Sequence, residues 1–219
     1  MKIGVIVAMD KEFDQLKEVA KAIEKHEIIL SKCGMGKVNA ALGAQKMINE
    51  HKPDVIISSG CAGGNGDDVN VQDVIVSSEL TYHDVYCGAA IDDSTVYGQV
   101  QGMPARYQAD PMLLAAARRV ATANKNVAVH EGLIVTGDWF VDTKEKMRSI
   151  IEKFPEAKAV DMESCAIAQT CYINKVPFIS FRVISDIPLR DTNASQYHDF
   201  WNTIAQHSFE VTRSLLNEL

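Results

Sequence analysis

The chain alternates short, continuous Val/Ile-rich runs with longer segments of helical periodicity, and few architectures accommodate that alternation. Strand-like runs recur at Ile3–Val7, Ile28–Ser31, Val55–Ser59, Val74–Ser78, Ala128–Val135 and Phe178–Ile184. Continuous apolar runs are what a sheet covered on both faces demands. Between them the spacing predicts helices over Lys11–Glu24, Lys37–Asn49, Pro111–Ala123, Lys144–Phe154, Glu163–Asn174 and Asp199–Asn217. In the last of these, Phe200, Ile204, Ser208, Val211 and Leu215 share one face. Asp110 stands where an N-cap belongs, with Pro111 at the favoured first helical position. Strands alternating with helices predict an α/β fold with a mixed, mostly parallel sheet. Ligands of such sheets sit beyond the carboxyl ends of strands.

At 219 residues and 47% hydrophobic content, with no long Pro/Gly/Ser tract, the expectation is one domain spanning residues 1–219. The formal charge of −7 argues against nucleic acid or an anionic membrane as partner, since both require basic patches. Five cysteines without a CxxC pair argue against a disulfide framework and point to a reducing, cytoplasmic setting. The apolar start Met1–Val7 stops at Asp10, so it reads as a first strand and not as a signal peptide. The six histidines lack metal-ligand spacing, and neither metal nor cofactor is expected.

Three acids stand out. Glu12 lies where the first strand gives way to the first helix, Glu163 ends Val160-Asp161-Met162-Glu163, and Asp186 follows the strand Phe178–Ile184 and Ser185. An acid at a strand mouth backed by apolar residues can have its pKa tuned for proton transfer. Each also has a plainer meaning. Asp186 could cap the next turn, Glu163 could favour a helix dipole, and Glu12 could be a solvated first-turn residue. Ser58–Gly64 is a glycine-rich strand-to-loop turn, and Thr136-Gly137-Asp138-Trp139-Phe140-Val141 places two aromatics after a strand.

Together and in order, these motifs resemble the 5'-methylthioadenosine/S-adenosylhomocysteine nucleosidases, within the purine nucleoside phosphorylase-like superfamily. The resemblance covers nearly the whole chain and implies a three-layer sandwich of the nucleoside phosphorylase type. It implies that Asp186, oriented by Ser185, protonates the purine, and that Glu12 activates the attacking water. Met162 and Glu163 would contact the ribose, with Asp161 structural where the family commonly has Glu. Phe140 would stack on adenine and the Val141 backbone would meet the base edge. Ala62 and Gly63 would bring backbone close to the ribose or the nucleophile. Met9 and Met35 would line the 5'-alkylthio pocket, and Tyr197 would be the aromatic of the closing segment. Arg182 would fix the water, pair with Glu12, or bridge two carboxylates for structure. Cys61 stands where relatives often have Ser or Thr and is not read as a nucleophile.

The resemblance further implies a homodimer in which the partner's loop completes the 5' pocket. Two departures qualify it. The stretch from His26 to Cys33 is too short for the hairpin common after the first helix. The Tyr82–Gly102 segment, read as an extended loop or hairpin, is longer than usual and carries Gln101 where proline is frequent. The function implied is hydrolysis of 5'-methylthioadenosine and S-adenosylhomocysteine to adenine and the 5'-thioribose. The alternatives are a futalosine-type or other purine nucleoside hydrolase or phosphorylase, and a nonenzymatic nucleoside-binding module. A phosphorylase needs several Arg for its dianion, and Met9-Asp10-Lys11-Glu12 offers a carboxylate instead.

Overall fold

The computed structural model describes residues 1–88, 94–190, 200–201 and 205–219, with side chains for all of these except 205–208. Every Val/Ile-rich run forms a strand: β1 (Lys2–Val7), β2 (Glu27–Lys32), β3 (Val55–Gly64), β4 (Val74–Tyr82), β6 (Val129–Thr136) and β8 (Phe178–Asp186). Two more were not signalled by the sequence, β5 (Tyr107–Gln108) and β7 (Ala157–Asp161). The first is two residues long, and Lys158 interrupts the apolar character of the second.

The helices are α1 (Asp10–Lys21), α2 (Lys37–His51), α3 (Pro111–Ala123), α4 (Lys144–Ile151), α5 (Ser164–Asn174) and α6 (Ala205–Glu218). Asp110 caps α3 as expected, accepting from the N–H groups of Met112 and Leu113. Helix α4 stops short of the expected Phe154, whose buried ring instead joins the apolar cluster of β6 and β7. Of the expected face of the last helix, Phe200, Val211 and Leu215 are buried. The side chains of Ile204 and Ser208 lie outside the described residues, as does the expected helix start at Asp199.

Among the described residues the eight strands form one sheet of mixed direction, with order β2-β1-β3-β7-β6-β4-β5 and β8 pairing both β3 and β4. β1, β2, β3 and β8 run one way as parallel neighbours. β4, β6 and β7 are parallel to one another and run the opposite way. The two sets meet antiparallel where Gly63 and Gly64 of β3 pair with Val160 and Ala159 of β7. That seam brings the carboxyl ends of oppositely directed strands together. β8 closes the circuit on its other side by pairing with the start of β4. Because all strands but the edges are covered, continuous apolar runs were needed, and they build three packed clusters. One lies under α1, α3 and α6, a second under α2 and α5, and a third under α4.

β2 is a single strand paired to β1, which accounts for the brevity of the stretch before Cys33. Between β4 and β5 no helix or strand occurs among the described residues, and residues 89–93 lie outside them.

Candidate active site

Where the two strand sets meet, five strand ends deliver side chains to one open cavity of about 580 Å³. Met9 and Glu12 follow β1, while Cys61, Ala62 and Gly63 come from the end of β3. Trp139, Phe140 and Val141 follow β6, Val160 to Glu163 close β7, and Ser185 and Asp186 end β8. Met35 lines the same cavity from the turn before α2. Of the described residues expected to form a site, Arg182 alone is not on this wall. Arg182 is fully buried behind it, and Tyr197 lies outside the described residues.

Glu12 is buried and held entirely by main chain. One carboxylate oxygen accepts from the N–H groups of Ala8 (2.9 Å) and Met9 (3.0 Å), and the other from that of Cys61 (2.9 Å). Burial raises its pKa, opposed by Arg182 and by these three amides. Gly60 makes the close approach possible. Its φ is +143°, and a Cβ there would stand 2.6 Å from both Glu12 Oε1 and Arg182 Nη1. The glycine-rich turn therefore lets backbone pass a buried carboxylate and its cation.

Arg182 neutralises the floor. Its Nε lies 2.9 Å from Asp161 Oδ2 and its Nη2 3.6 Å from Glu163 Oε2. It also donates from Nε to Ser164 Oγ and from Nη2 to Ser58 Oγ, both at 2.9 Å. Asp161 accepts in addition from Thr136 Oγ1 at 2.6 Å and from the Ser164 hydroxyl, so it serves as a fixed structural anion. Arg182 thus bridges two carboxylates, those of Asp161 and Glu163.

Glu163, two residues beyond β7, is the N-cap residue of α5, and its Oε1 accepts from the Gly36 N–H at 3.0 Å. Burial pushes its pKa up to about 7, against Arg182 and with Asp161 adding to the rise. Asp186 sits apart from the cation. Burial raises it to about 6, opposed by the Ser185 hydroxyl, which donates to its Oδ1 at 2.7 Å. The cavity wall thus carries four acids, Glu12, Asp161, Glu163 and Asp186, and no Lys, Arg or His among the described residues.

Three apolar residues of the wall face outward. Met35, Trp139 and Phe140 are 59%, 53% and 51% exposed, forming a rim that a flat ligand could cover. Ala8, Val160 and Trp139 line the cavity without having been singled out as site residues. Trp139 could have been found, since it neighbours Phe140 in the same post-strand loop.

Residues 2–217 match the family model described as the Phosphorylase superfamily. A 5'-methylthioadenosine/S-adenosylhomocysteine nucleosidase of Maridesulfovibrio salexigens is 37% identical over 238 residues, covering 100% of both chains. The chain belongs to the 5'-methylthioadenosine/S-adenosylhomocysteine nucleosidase family. Solved nucleosidases agree in fold. That of Neisseria meningitidis in complex with methylthio-immucillin-A has a TM-score of 0.91 at 34% identity, covering 100% of this chain and 99% of that one. The Colwellia psychrerythraea nucleosidase in complex with adenine has a TM-score of 0.90 at 31% identity, covering 100% and 96%. In this nucleosidase family member the seam between β3 and β7 brings Asp161 and Glu163 to the acids that follow β1 and end β8, the two strands that pair with β3 directly.

Proposed function

We propose that this protein hydrolyses the N-glycosidic bond of 5'-methylthioadenosine and S-adenosylhomocysteine, releasing adenine and the 5'-thioribose. One observation carries the reading: four carboxyl groups and, among the described residues, no cationic side chain line the cavity. A phosphate dianion would meet whichever of those acids is ionised at a cost of roughly 4 kcal/mol for each pair of charges 4 Å apart, at an effective dielectric of 20. Water meets no such barrier and needs only a base.

Each acid has a role its surroundings support. Asp186, whose pKa burial lifts to about 6 and so towards neutrality, donates its proton to N7 of adenine, so the base departs neutral with the electron pair of the C1'–N9 bond. Glu163 accepts hydrogen bonds from the ribose hydroxyls, with Met162 against the sugar, and its charge favours the cation growing on the ring. Water adds to C1' and yields its proton to Glu12, whose raised pKa makes it a stronger acceptor. Arg182 keeps Glu163 from losing its charge altogether. Phe140 stacks on the base, the Val141 backbone meets its edge, and Ala62 and Gly63 border the sugar. Met9, Met35 and Tyr197 serve the 5' substituent and the closing segment.

We further read residues 1–219 as one nucleoside phosphorylase-like domain that works as a homodimer, the partner's loop completing the 5' pocket. Val38 and Leu42 on α2 and Tyr172 and Ile173 on α5 are exposed, and a hydrogen bond between Asn174 and Gln45 joins the two helices. An apolar face of that kind supports a subunit contact. The five free cysteines support a cytoplasmic location, and no helix among the described residues is long and apolar enough to cross a membrane. Adenine release from methylthioadenosine, assayed with and without phosphate, tests the function. Release that requires phosphate, or none at all, would overturn it.

A further inference from the structure

Outside the cavity wall, three charged residues from separate parts of the chain lock onto one another. Both Asp84 carboxylate oxygens accept from Lys37 Nζ, at 2.7 and 2.8 Å. Asp84 Oδ2 also accepts from the Asp138 N–H at 2.8 Å. The Asp138 carboxylate in turn accepts from the Lys37 N–H at 2.7 Å. Helix α2 has glycine at its N-cap and no cap of its own, so Asp138, 101 residues away, supplies it.

What this lock joins gives it meaning. Asp138 begins the loop that carries Trp139, Phe140 and Val141 to the cavity. Gly36, the residue before Lys37, donates its N–H to Glu163. The fit at that junction is tight. At Gly36, whose φ is +90°, a Cβ would stand 2.9 Å from Asp138 Oδ1, and at Gly137 a Cβ would lie 2.8 Å from Asp84 Cγ. Lys37 and Asp84 are about three-quarters buried, and Lys37 Nζ also lies 5.4 Å above the Tyr82 ring.

We propose that Lys37, Asp84 and Asp138 are positioning residues of the nucleosidase, tying the base-side loop to the carboxylate that holds the ribose. The inference rests on the functional reading above. Hydrolysis requires the base and the sugar to be held in one register, because the proton reaches the purine while water reaches C1'. A clamp on both walls fixes their separation, and a displacement of about 1 Å can cost a hundredfold in rate. None of the three side chains lines the cavity itself.

The test uses Asp84→Ala, Lys37→Met, Lys37→Arg and the Asp84→Ala/Lys37→Met double variant of the full chain. KM and kcat for methylthioadenosine and the Kd of adenine per folded protein are measured beside thermal melting. Expected are a rise of about tenfold in KM and in the adenine Kd for each disrupting single variant, and recovery to within about threefold in Lys37→Arg. The double variant should be no worse than the worse single one, because both break the same clamp. A role in stability alone would lower the melting temperature and leave KM and the adenine Kd of the folded protein unchanged. Changes below threefold, or losses that multiply in the double variant, would overturn the proposal. Should Asp84→Ala not fold, Lys37→Met and Asp138→Ala decide it by the same measures. If the unmodified protein binds adenine but does not cleave methylthioadenosine, the functional reading fails while the adenine measurements still decide the clamp.

Discussion

Arg182 Nε lies 2.9 Å from Asp161 Oδ2 in a site where both side chains are almost fully buried. The pair spends the arginine on an anion that faces the protein as much as the cavity, leaving its remaining charge to moderate Glu163 and Glu12. Breaking a buried pair by removing one member typically costs about 3–5 kcal/mol, because the other charge stays behind. Arg182→Met should therefore lower the melting temperature on the order of 10 °C at pH 7.5. The deficit should shrink towards pH 5. Without the cation, the folded-state pKa values of Glu163 and Glu12 rise further above their unfolded values, and such groups destabilise the fold more as pH rises. A deficit equal at both pH values would show that Arg182 contributes packing and not charge.

Glu12→Gln tests the base. Three main-chain N–H groups converge on this carboxylate, so an amide there must turn its NH₂ towards at least one donor. The variant also cannot take a proton from water. kcat should fall by about 10²–10⁴-fold while binding of methylthioadenosine, followed by calorimetry, stays measurable. Near-normal turnover would remove Glu12 from water activation.

Much of this was legible in the sequence, for identifiable reasons. β1, β3 and β8 were readable because strands covered on both faces must be apolar throughout, and the acids at their ends were conspicuous against that background. β7 was not, because five residues containing Lys158 carry too little pattern to separate a strand from a loop. The reversal of direction between β3 and β7 leaves no trace in periodicity, yet it is what brings Glu163 and Asp186 to one cavity. Asp161 as the partner of Arg182, and Asp84 as that of Lys37, were equally hidden. Each pair joins distant segments, and a charged residue shows nothing of its partner until the fold is known.

The subunit contact is checked most directly on α2. Leu42→Glu and Val38→Glu place charge on an exposed apolar stretch without touching the buried side of the helix, where Ala40, Ala44 and Met47 pack. Sedimentation should show a dimer for the unmodified protein and a monomer for the double variant, with impaired activity in the monomer. A fully active monomer at nanomolar concentration would contradict the completed 5' pocket.

Asp186→Asn should move activity and stability in opposite directions. Asparagine keeps an acceptor for the Ser185 hydroxyl but has no proton to give, so kcat/KM should drop by about 10²–10⁴-fold, and a loss below tenfold would exclude Asp186 as the donor. In the unmodified protein, burial lifts the Asp186 pKa to about 6. An unfolded aspartate titrates near 3.9, so between those values the folded state holds the proton more tightly than the unfolded one. Stability consequently falls as pH rises through that window and remains lowered at pH 7.5, by up to about 3 kcal/mol. The variant avoids that cost. It should melt several degrees above the unmodified protein at pH 7.5, and the two should converge near pH 4. The same titration should appear in catalysis, with kcat/KM of the unmodified protein declining as pH rises past about 6. If the variant melts lower at pH 7.5, Asp186 is a stabilising cap whose charge the fold welcomes, and a strained acid kept for proton transfer is the wrong description.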